Sequence, residues 1–219
     1  MGRLALGPAV RLRPSNSTDN SGGASVALME FSTATADKSD VITLSGTPKL
    51  TATGLAANAF RVFVRANRAI TPSKFQFEVT LTDLVGQRAM IGVDDGTQVY
   101  GPSDLSNSLP GYTNALAALL SVNAGDCHIT VNANGAGTQL SIPPVAVDGD
   151  VISVRGDKTA KTVSFYRNGT QIGTTVTIAA TWSEWNIMVG TFDAEVLTLN
   201  PGTSAFTKAL DGGYEAANA

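Results

Sequence analysis

The 219-residue chain has very few of the residues that build catalytic centres, disulphides and zinc sites. It has one cysteine, Cys127, and one histidine, His128, which are adjacent. A single cysteine excludes an intrachain disulphide, and one residue of each kind is too few for a structural zinc site. Neighbouring residues on a strand point to opposite faces, so Cys127 and His128 do not form a nucleophile–base pair with each other.

Charge is also scarce. Charged residues make up 15% of the chain, against about 25% in ordinary soluble domains, and the net charge is −3. The densest basic cluster, Arg3, Arg11 and Arg13, is too small to follow a phosphate backbone. No apolar run approaches the ~20 residues that span a bilayer. The apolar stretch among the first residues is too short for a signal peptide. We therefore expect neither a nucleic-acid nor a membrane partner.

The sequence instead contains many short β-strand patterns. From Phe75 to Leu81 apolar residues alternate with polar ones, which predicts a strand with one face in the core and one in water. Residues 89–93 form a continuous apolar run, typical of a central strand, and Asn168-Gly169 predicts a type I′ hairpin turn. Short strands separated by turn signals predict an all-β fold, a two-sheet antiparallel β-sandwich. Only residues 112–122 favour a short helix.

We divide the chain into three parts. Residues 1–35 read as strand, turn and strand, and we predict an N-terminal β-hairpin arm there. Residues 36–210 form the sandwich, and residues 211–219 form a C-terminal tail. A lone hairpin is only marginally stable in water, so we expect the arm to dock on the sandwich or to attach the chain to another protein.

Several segments, in order along the chain, resemble the strand motifs of SPRY domains. They are Phe75–Val79, Met90–Val93, Gly149–Val154, Val163–Gly169 and Leu197–Gly202, followed by Phe206. Ser153 stands where the family has glycine, and Pro201 where phenylalanine is usual. The resemblance covers about residues 41–210. It implies a concanavalin-like jelly roll that meets its ligands through loops and not through a catalytic centre.

Aromatic residues are the candidates for ligand binding. An aromatic face stacks on the apolar face of a sugar or anchors a protein partner, so we predict ligand contacts at Tyr100, Tyr112 and Trp182. Trp185 is expected to cap the core. Loops on a rigid sandwich are where binding usually occurs. We expect no catalytic residues, no cofactor and no metal.

Two chemical alternatives were weighed against that expectation. Calcium would need the oxygen-rich segments at residues 94–96 and 148–150, but acidic residues next to glycine more often form turns. A glycoside hydrolase would need two carboxylates ~5–9 Å apart in one cleft. Glu78 and Glu184 each lack an acidic neighbour placed to face the same cleft.

These features together predict a non-enzymatic structural or adhesion protein of a bacteriophage particle, such as a decoration, spike, tail or fibre-associated protein. We expect it in the virion after synthesis in the host cytoplasm. The expected partners are other virion proteins bound through residues 1–35, further copies in a homo-oligomer, and a host surface glycan. The phage assignment rests on composition and analogy. The alternative is a free-standing lectin-like or peptide-binding SPRY module, and a glycoside hydrolase is the third hypothesis.

Overall fold

The structure is a computed structural model that describes residues 28–32, 42–54, 62–84, 88–97, 114–121, 127–133, 136–141, 145–178, 182–191 and 194–219. All regular elements in these ranges are strands. They are β1 (Ile42–Ser45), β2 (Thr51–Gly54), β3 (Val62–Arg65), β4 (Lys74–Asp83), β5 (Arg88–Asp94), β6 (Asn114–Ser121), β7 (His128–Ala133), β8 (Ala136–Ser141), β9 (Val151–Asp157), β10 (Thr162–Arg167), β11 (Thr170–Thr177), β12 (Asn186–Thr191), β13 (Val196–Asn200) and β14 (Glu215–Ala216). Over the same ranges, the chain contains no helix of the length and apolarity that crossing a membrane requires.

The strands form two sheets. The larger has the order β1-β2-β13-β4-β9-β10-β11, with β14 also paired to β4, and the smaller has the order β3-β12-β5-β6-β7-β8. The short β14–β4 pairing is parallel, whereas the neighbours along both of these orders pair antiparallel. The predicted antiparallel two-sheet sandwich is confirmed. Of the predicted hairpin arm, all but residues 28–32 lie outside the described ranges.

The apolar faces of the two sheets meet in one core. Four alternate residues of β4 point into it and are fully buried: Phe75, Phe77, Val79 and Leu81. In the small sheet β5 lies between β12 and β6 and is buried from Ala89 to Asp94, which confirms the central strand predicted there. A second buried cluster lies on the opposite face of this sheet and contains Phe63, Met90, Ala115, Ala117 and Met188. Both faces of β5 are thus apolar, which explains why its sequence does not alternate.

The β10–β11 connection confirms the predicted hairpin turn. Asn168 has φ 48° and Gly169 has φ 82°. A type I′ turn needs positive φ at both central positions, and the pair Asn-Gly adopts this at least cost. The Asn168 side chain also accepts a hydrogen bond from the Val151 backbone N–H at 2.8 Å, which joins the turn to the start of β9.

The helix favoured at residues 112–122 is wrong. Residues 114–121 form β6, which pairs with β5 from Ala115 to Ser121 and with β7 from Asn114 to Leu119. Alanine and leucine are strong helix formers, but intrinsic propensity is worth less than about 1 kcal/mol per residue. Two neighbouring strands override it by satisfying the backbone on both edges.

The outer face of β4 also differs from the prediction of a water-facing surface. Thr82 is exposed as expected, but Gln76 and Glu78 are only 0% and 3% exposed. Residues 201–219 cross this face and return to pair with β4 through β14. The alternation of β4 shows which residues turn away from the core, but it does not show that a segment about 130 residues later covers them.

The two described ends of the chain meet beside the sandwich. Met29 and Phe31 are buried in the core, and Phe31 forms a bridge with Ala66. The Met29 backbone N–H donates to the Asn218 side chain at 3.0 Å, and the Arg68 guanidinium donates to the same amide oxygen at 2.6 Å. Residues 28–32 and the C-terminus therefore belong to the packed body of the protein.

Candidate functional site

One end of the sandwich brings together loops from both sheets, and we call it the Trp182 end. It contains the segment between β3 and β4, the end of β5 with the residues that follow it (94–97), and the residues that lead into β12 (182–186). Asn186 is the register partner of Asp94, and the Ile70 backbone N–H donates to the Trp185 carbonyl at 2.7 Å. These pairings hold the three loops side by side at the edge of the core.

Two tryptophans form the apolar part of this end. Trp185 is 4% exposed and packs edge-on against Phe75, with ring centroids 5.7 Å apart, so it caps the core as the sequence predicted. Trp182 lies on Trp185 at a centroid distance of 4.9 Å and is half-buried. Trp182 therefore combines a fixed position with an accessible surface. Tyr100 and Tyr112 lie outside the described residues.

An ion pair lies on the outer face of the small sheet, away from the core that Trp185 caps. The Arg65 guanidinium donates from Nε and Nη2 to both oxygens of Asp94, at 2.8–3.0 Å. Both residues are buried, at 8% and 0% exposure. A two-pronged arginine–carboxylate contact fixes both side chains in one geometry. It joins the end of β3 to the end of β5.

The acidic residues considered for calcium have other partners. Asp95 accepts from the backbone N–H and the hydroxyl of Thr97, at 3.0 and 2.7 Å. At the far end of the sandwich, Asp150 accepts from the Val147 N–H at 2.9 Å and from the Asn168 amide at 2.6 Å. Within the described ranges there is no group of three histidine, cysteine or acidic residues arranged to hold a metal. These carboxylates act as turn and ion-pair partners.

Gly96 brings two polar side chains close to the backbone. Its φ is +77°, and a Cβ there would lie 2.8 Å from the Asn186 amide nitrogen and 2.9 Å from a Glu184 oxygen. Both the backbone conformation and the space therefore require glycine. Glu184 is exposed, whereas Asn186 is only 4% exposed. An amide and a carboxylate from the loop that also contains Trp182 thus lie next to each other at Gly96.

Three buried hydrogen-bond donors at this end are not satisfied in the described structure, and one of them is Arg68 Nε, whose guanidinium is paired through Nη2. The Trp182 Nε1–H and the Asn186 Nδ2 amide are buried and have no hydrogen-bond partner in the described structure. Most buried polar groups in proteins are paired, and an unpaired donor costs about 1–3 kcal/mol. Pairing with an acceptor oxygen of a bound molecule requires the groups that cover these donors to move. Trp182 was predicted from the sequence. Asn186 was not, because its burial depends on its register opposite Asp94.

The carboxylates considered for hydrolysis lie in different environments. Glu78 is buried on the outer face of the large sheet and accepts from the Ser153 hydroxyl at 2.7 Å and from the Thr207 and Lys208 backbone N–H groups at 2.9 Å. Glu184 is exposed at the Trp182 end. Glu78 therefore has a structural role in the sheet.

No family model matches the chain, and no curated protein matches it. Solved structures do match. The SPRY domain of human HERC1 has a TM-score of 0.57 and 16% identity, covering 80% of this chain and 99% of its own. The PSpry domain of TRIM65 has a TM-score of 0.57 and 14% identity, covering 79% and 89%. A human SPRY domain has a TM-score of 0.52 and 19% identity, covering 75% and 98%. The chain therefore has a SPRY-like fold. At these identities the similarity concerns the fold alone.

Proposed function

We propose that this chain is a non-enzymatic binding module and that the Trp182 end of its sandwich contacts the ligand. The observation that carries the proposal is the half-buried Trp182 ring, whose own Nε1–H has no partner in the described structure, at the same end of the sandwich as the unpaired Asn186 amide. An aromatic face next to unsatisfied N–H groups fits a ligand with an apolar surface and acceptor oxygens. The sandwich supports this use because the loops rest on a rigid body.

The favoured ligand is a surface glycan. A sugar ring offers an apolar face for stacking on Trp182 and hydroxyl oxygens that can accept from the Trp182 Nε1–H and the Asn186 amide. Tyr100 and Tyr112 belong to the segment that joins β5 to β6, and the described residues that flank it, Thr97 and Asn114, lie at the same end. We include both tyrosines in the proposal as sequence-based candidates.

A glycan array tests this proposal. Wild-type protein should bind a defined set of glycans, and Trp182→Ala should lose that signal by about 30-fold in affinity. Val147→Ser is a matched control, because Val147 is an exposed apolar residue, 52% accessible, at the opposite end of the sandwich. Its binding should equal that of wild type. A signal that survives Trp182→Ala, or no glycan signal at all, would reject a glycan site at this end. Binding of a peptide library in place of glycans would favour the free-standing peptide-binding module.

The narrower proposal is that the module is part of a bacteriophage particle, attached through its N-terminal residues. It is supported by the low charge, by the single cysteine and by the arm pattern of the first residues. Met29 and Phe31 are core residues, so removing them would also destabilise the sandwich. The truncation that tests the arm therefore removes residues 2–27 and leaves both in place. We expect the full chain to form oligomers or to bind another particle protein, and the truncated chain to be monomeric in light scattering. Identical behaviour of the two would rule out an attachment arm.

A glycoside hydrolase is the competing function. It would require the array ligand to be cleaved, with loss of cleavage on Glu184→Gln or Glu78→Gln. Product analysis of any bound glycan distinguishes the two: an intact ligand supports a binding module, and a shortened one supports an enzyme.

A further inference from the structure

A polar surface on the outer face of the large sheet is occupied by the C-terminal part of the chain. We call residues 203–216 the strap, and we call Gln76, Glu78 and Arg155, with the neighbouring Ser153, the docking face. The four residues of the docking face are at most 4% exposed. They lie on β4 and β9, which are adjacent in the sheet. The docking face is therefore a continuous polar surface that the strap covers.

The docking face holds the strap mainly through backbone groups. Glu78 accepts the successive N–H groups of Thr207 and Lys208, each at 2.9 Å. The Gln76 amide donates to the Lys208 carbonyl at 2.5 Å, and the Arg155 guanidinium donates to the Ala209 carbonyl. Main-chain hydrogen bonds of this kind are how proteins bind extended peptides of varied sequence.

Two side chains of the strap, Asp211 and Tyr214, add specificity through Arg155. Arg155 Nη1 donates to Asp211 at 2.5 Å, and the guanidinium lies 4.7 Å from the Tyr214 ring centroid and 5.4 Å from that of Tyr166. The Gln76 side-chain oxygen accepts from Arg155 Nε at 2.7 Å and fixes its orientation. Arg155 is thus preorganised to receive a carboxylate at one position of the strap.

The strap has no apolar anchor of its own. None of residues 203–216 is buried, and Leu210 is 44% exposed. The buried residues at its two sides are Pro201 and Ala217. A segment that belongs to a core normally buries apolar side chains, because these supply most of the stabilisation. The strap is instead held as a peptide ligand is held, by its backbone, by the Asp211 carboxylate and by the Tyr214 ring against Arg155.

We propose that the docking face is a peptide-binding site, that its occupant in this chain is its own strap, and that it accepts the same segment from a second copy. The backbone contacts do not depend on which chain supplies the segment. Exchange of an identical element between copies is a low-cost route to assembly. The site would take an extended peptide with an acidic residue placed to reach Arg155.

Cutting the full chain and measuring peptide exchange tests the proposal. A protease site is inserted in the exposed turn of residues 203–205, and the purified protein is cut so that both pieces are present. A fluorescent synthetic peptide of residues 206–219 is then added. We expect the cut protein to stay folded by circular dichroism and the labelled peptide to replace the cut segment saturably.

Peptide variants show whether the docking face is responsible. An Asp211→Asn peptide should bind about three- to ten-fold more weakly, because it loses the charge that Arg155 receives. A Glu215→Gln peptide is the matched control, since it removes one exposed carboxylate, and its affinity should change by less than about two-fold. The proposal is wrong if the cut protein unfolds when the segment leaves. It is equally wrong if no labelled peptide enters the folded protein, or if the two variant peptides bind alike.

Discussion

The docking face and the Trp182 end both bury polar groups, but they differ in how those groups are satisfied. On the docking face Glu78 receives three donors and Arg155 reaches three acceptors, all from within the chain. At the Trp182 end, the Trp182 indole N–H and the Asn186 amide have no partner in the described part of the chain. Satisfied buried groups stabilise a fold, whereas unsatisfied ones reduce stability until a ligand pairs with them. The docking face therefore contributes stability through its contacts with the strap, whereas the Trp182 end is the region that we propose for binding an external ligand.

The largest effect is expected from replacing Glu78. Glu78→Met leaves the Ser153 hydroxyl and the Thr207 and Lys208 N–H groups without their acceptor. We expect the free energy of unfolding to fall by about 2–4 kcal/mol, measured by urea denaturation. Glu215→Gln, at an exposed carboxylate, should change it by less than about 0.5 kcal/mol. Equal stability of Glu78→Met and wild type would show that the satisfied polar groups of the docking face do not stabilise the fold.

A smaller loss is expected from Arg155→Lys. Lysine keeps the positive charge but cannot reach the Gln76 oxygen, the Ala209 carbonyl and Asp211 at the same time. We expect a decrease of about 1–2 kcal/mol in the free energy of unfolding. Hydrogen exchange should show faster exchange of the Thr207 and Lys208 amides, while the amides of β12 stay protected. Uniform loss of protection across both sheets would contradict a local role for Arg155.

Trp182→Phe is expected to separate binding from stability. Phenylalanine keeps a ring on Trp185 but lacks the indole N–H, which has no partner in the part of the chain that the structure describes. The free energy of unfolding should stay within about 0.5 kcal/mol of wild type. Affinity for the glycan found by the array should fall by about three- to ten-fold. A large loss of stability with unchanged affinity would mean that Trp182 stabilises the fold and does not bind the ligand.

The smallest effect concerns pH. The Arg155 hydrogen bond, followed by that of Lys208, holds the pKa of Asp211 below its ordinary value. The unfolded chain therefore takes up this proton first as the pH falls, and the stabilisation is lost between the ordinary aspartate pKa, about 3.9, and the lower folded one.

Asp211→Asn provides the measurement for this effect. The difference in unfolding free energy between wild type and Asp211→Asn should be constant near pH 6 and should shrink towards zero at the acid end of the range. Urea titrations at a series of pH values give this difference directly. A difference that does not depend on pH would show that the Asp211 carboxylate is not stabilised by the strap contacts.

Local patterns were sufficient to predict the fold class. The alternation from Phe75 to Leu81 gave the buried face of β4, and Asn168-Gly169 gave the β10–β11 turn. Both depend on properties of a few consecutive residues, the two-residue side-chain period and the tolerance of positive φ. For the same reason the core position of Trp185 and the central position of β5 followed from the sequence.

The candidate sites were predicted only in part. Trp182 was identified as an aromatic in a loop, but Asn186 gains its buried amide only through its register with Asp94. Gln76 and Glu78 were expected in water, yet the strap covers them. The helical composition of residues 114–121 was misleading because strand pairing on both edges outweighs intrinsic propensity.

The sequence by itself determined that the chain folds into strands that bury alternate side chains, because hydrophobic periodicity and turn chemistry act over a few neighbouring residues. Only the tertiary structure decided which polar groups are satisfied. Arg155 meets Asp211 across 56 positions, and Glu78 meets Lys208 across 130. Pairings over such distances depend on the path of the whole chain, and hydrogen bonds form only when that path brings donor and acceptor to within about 3 Å.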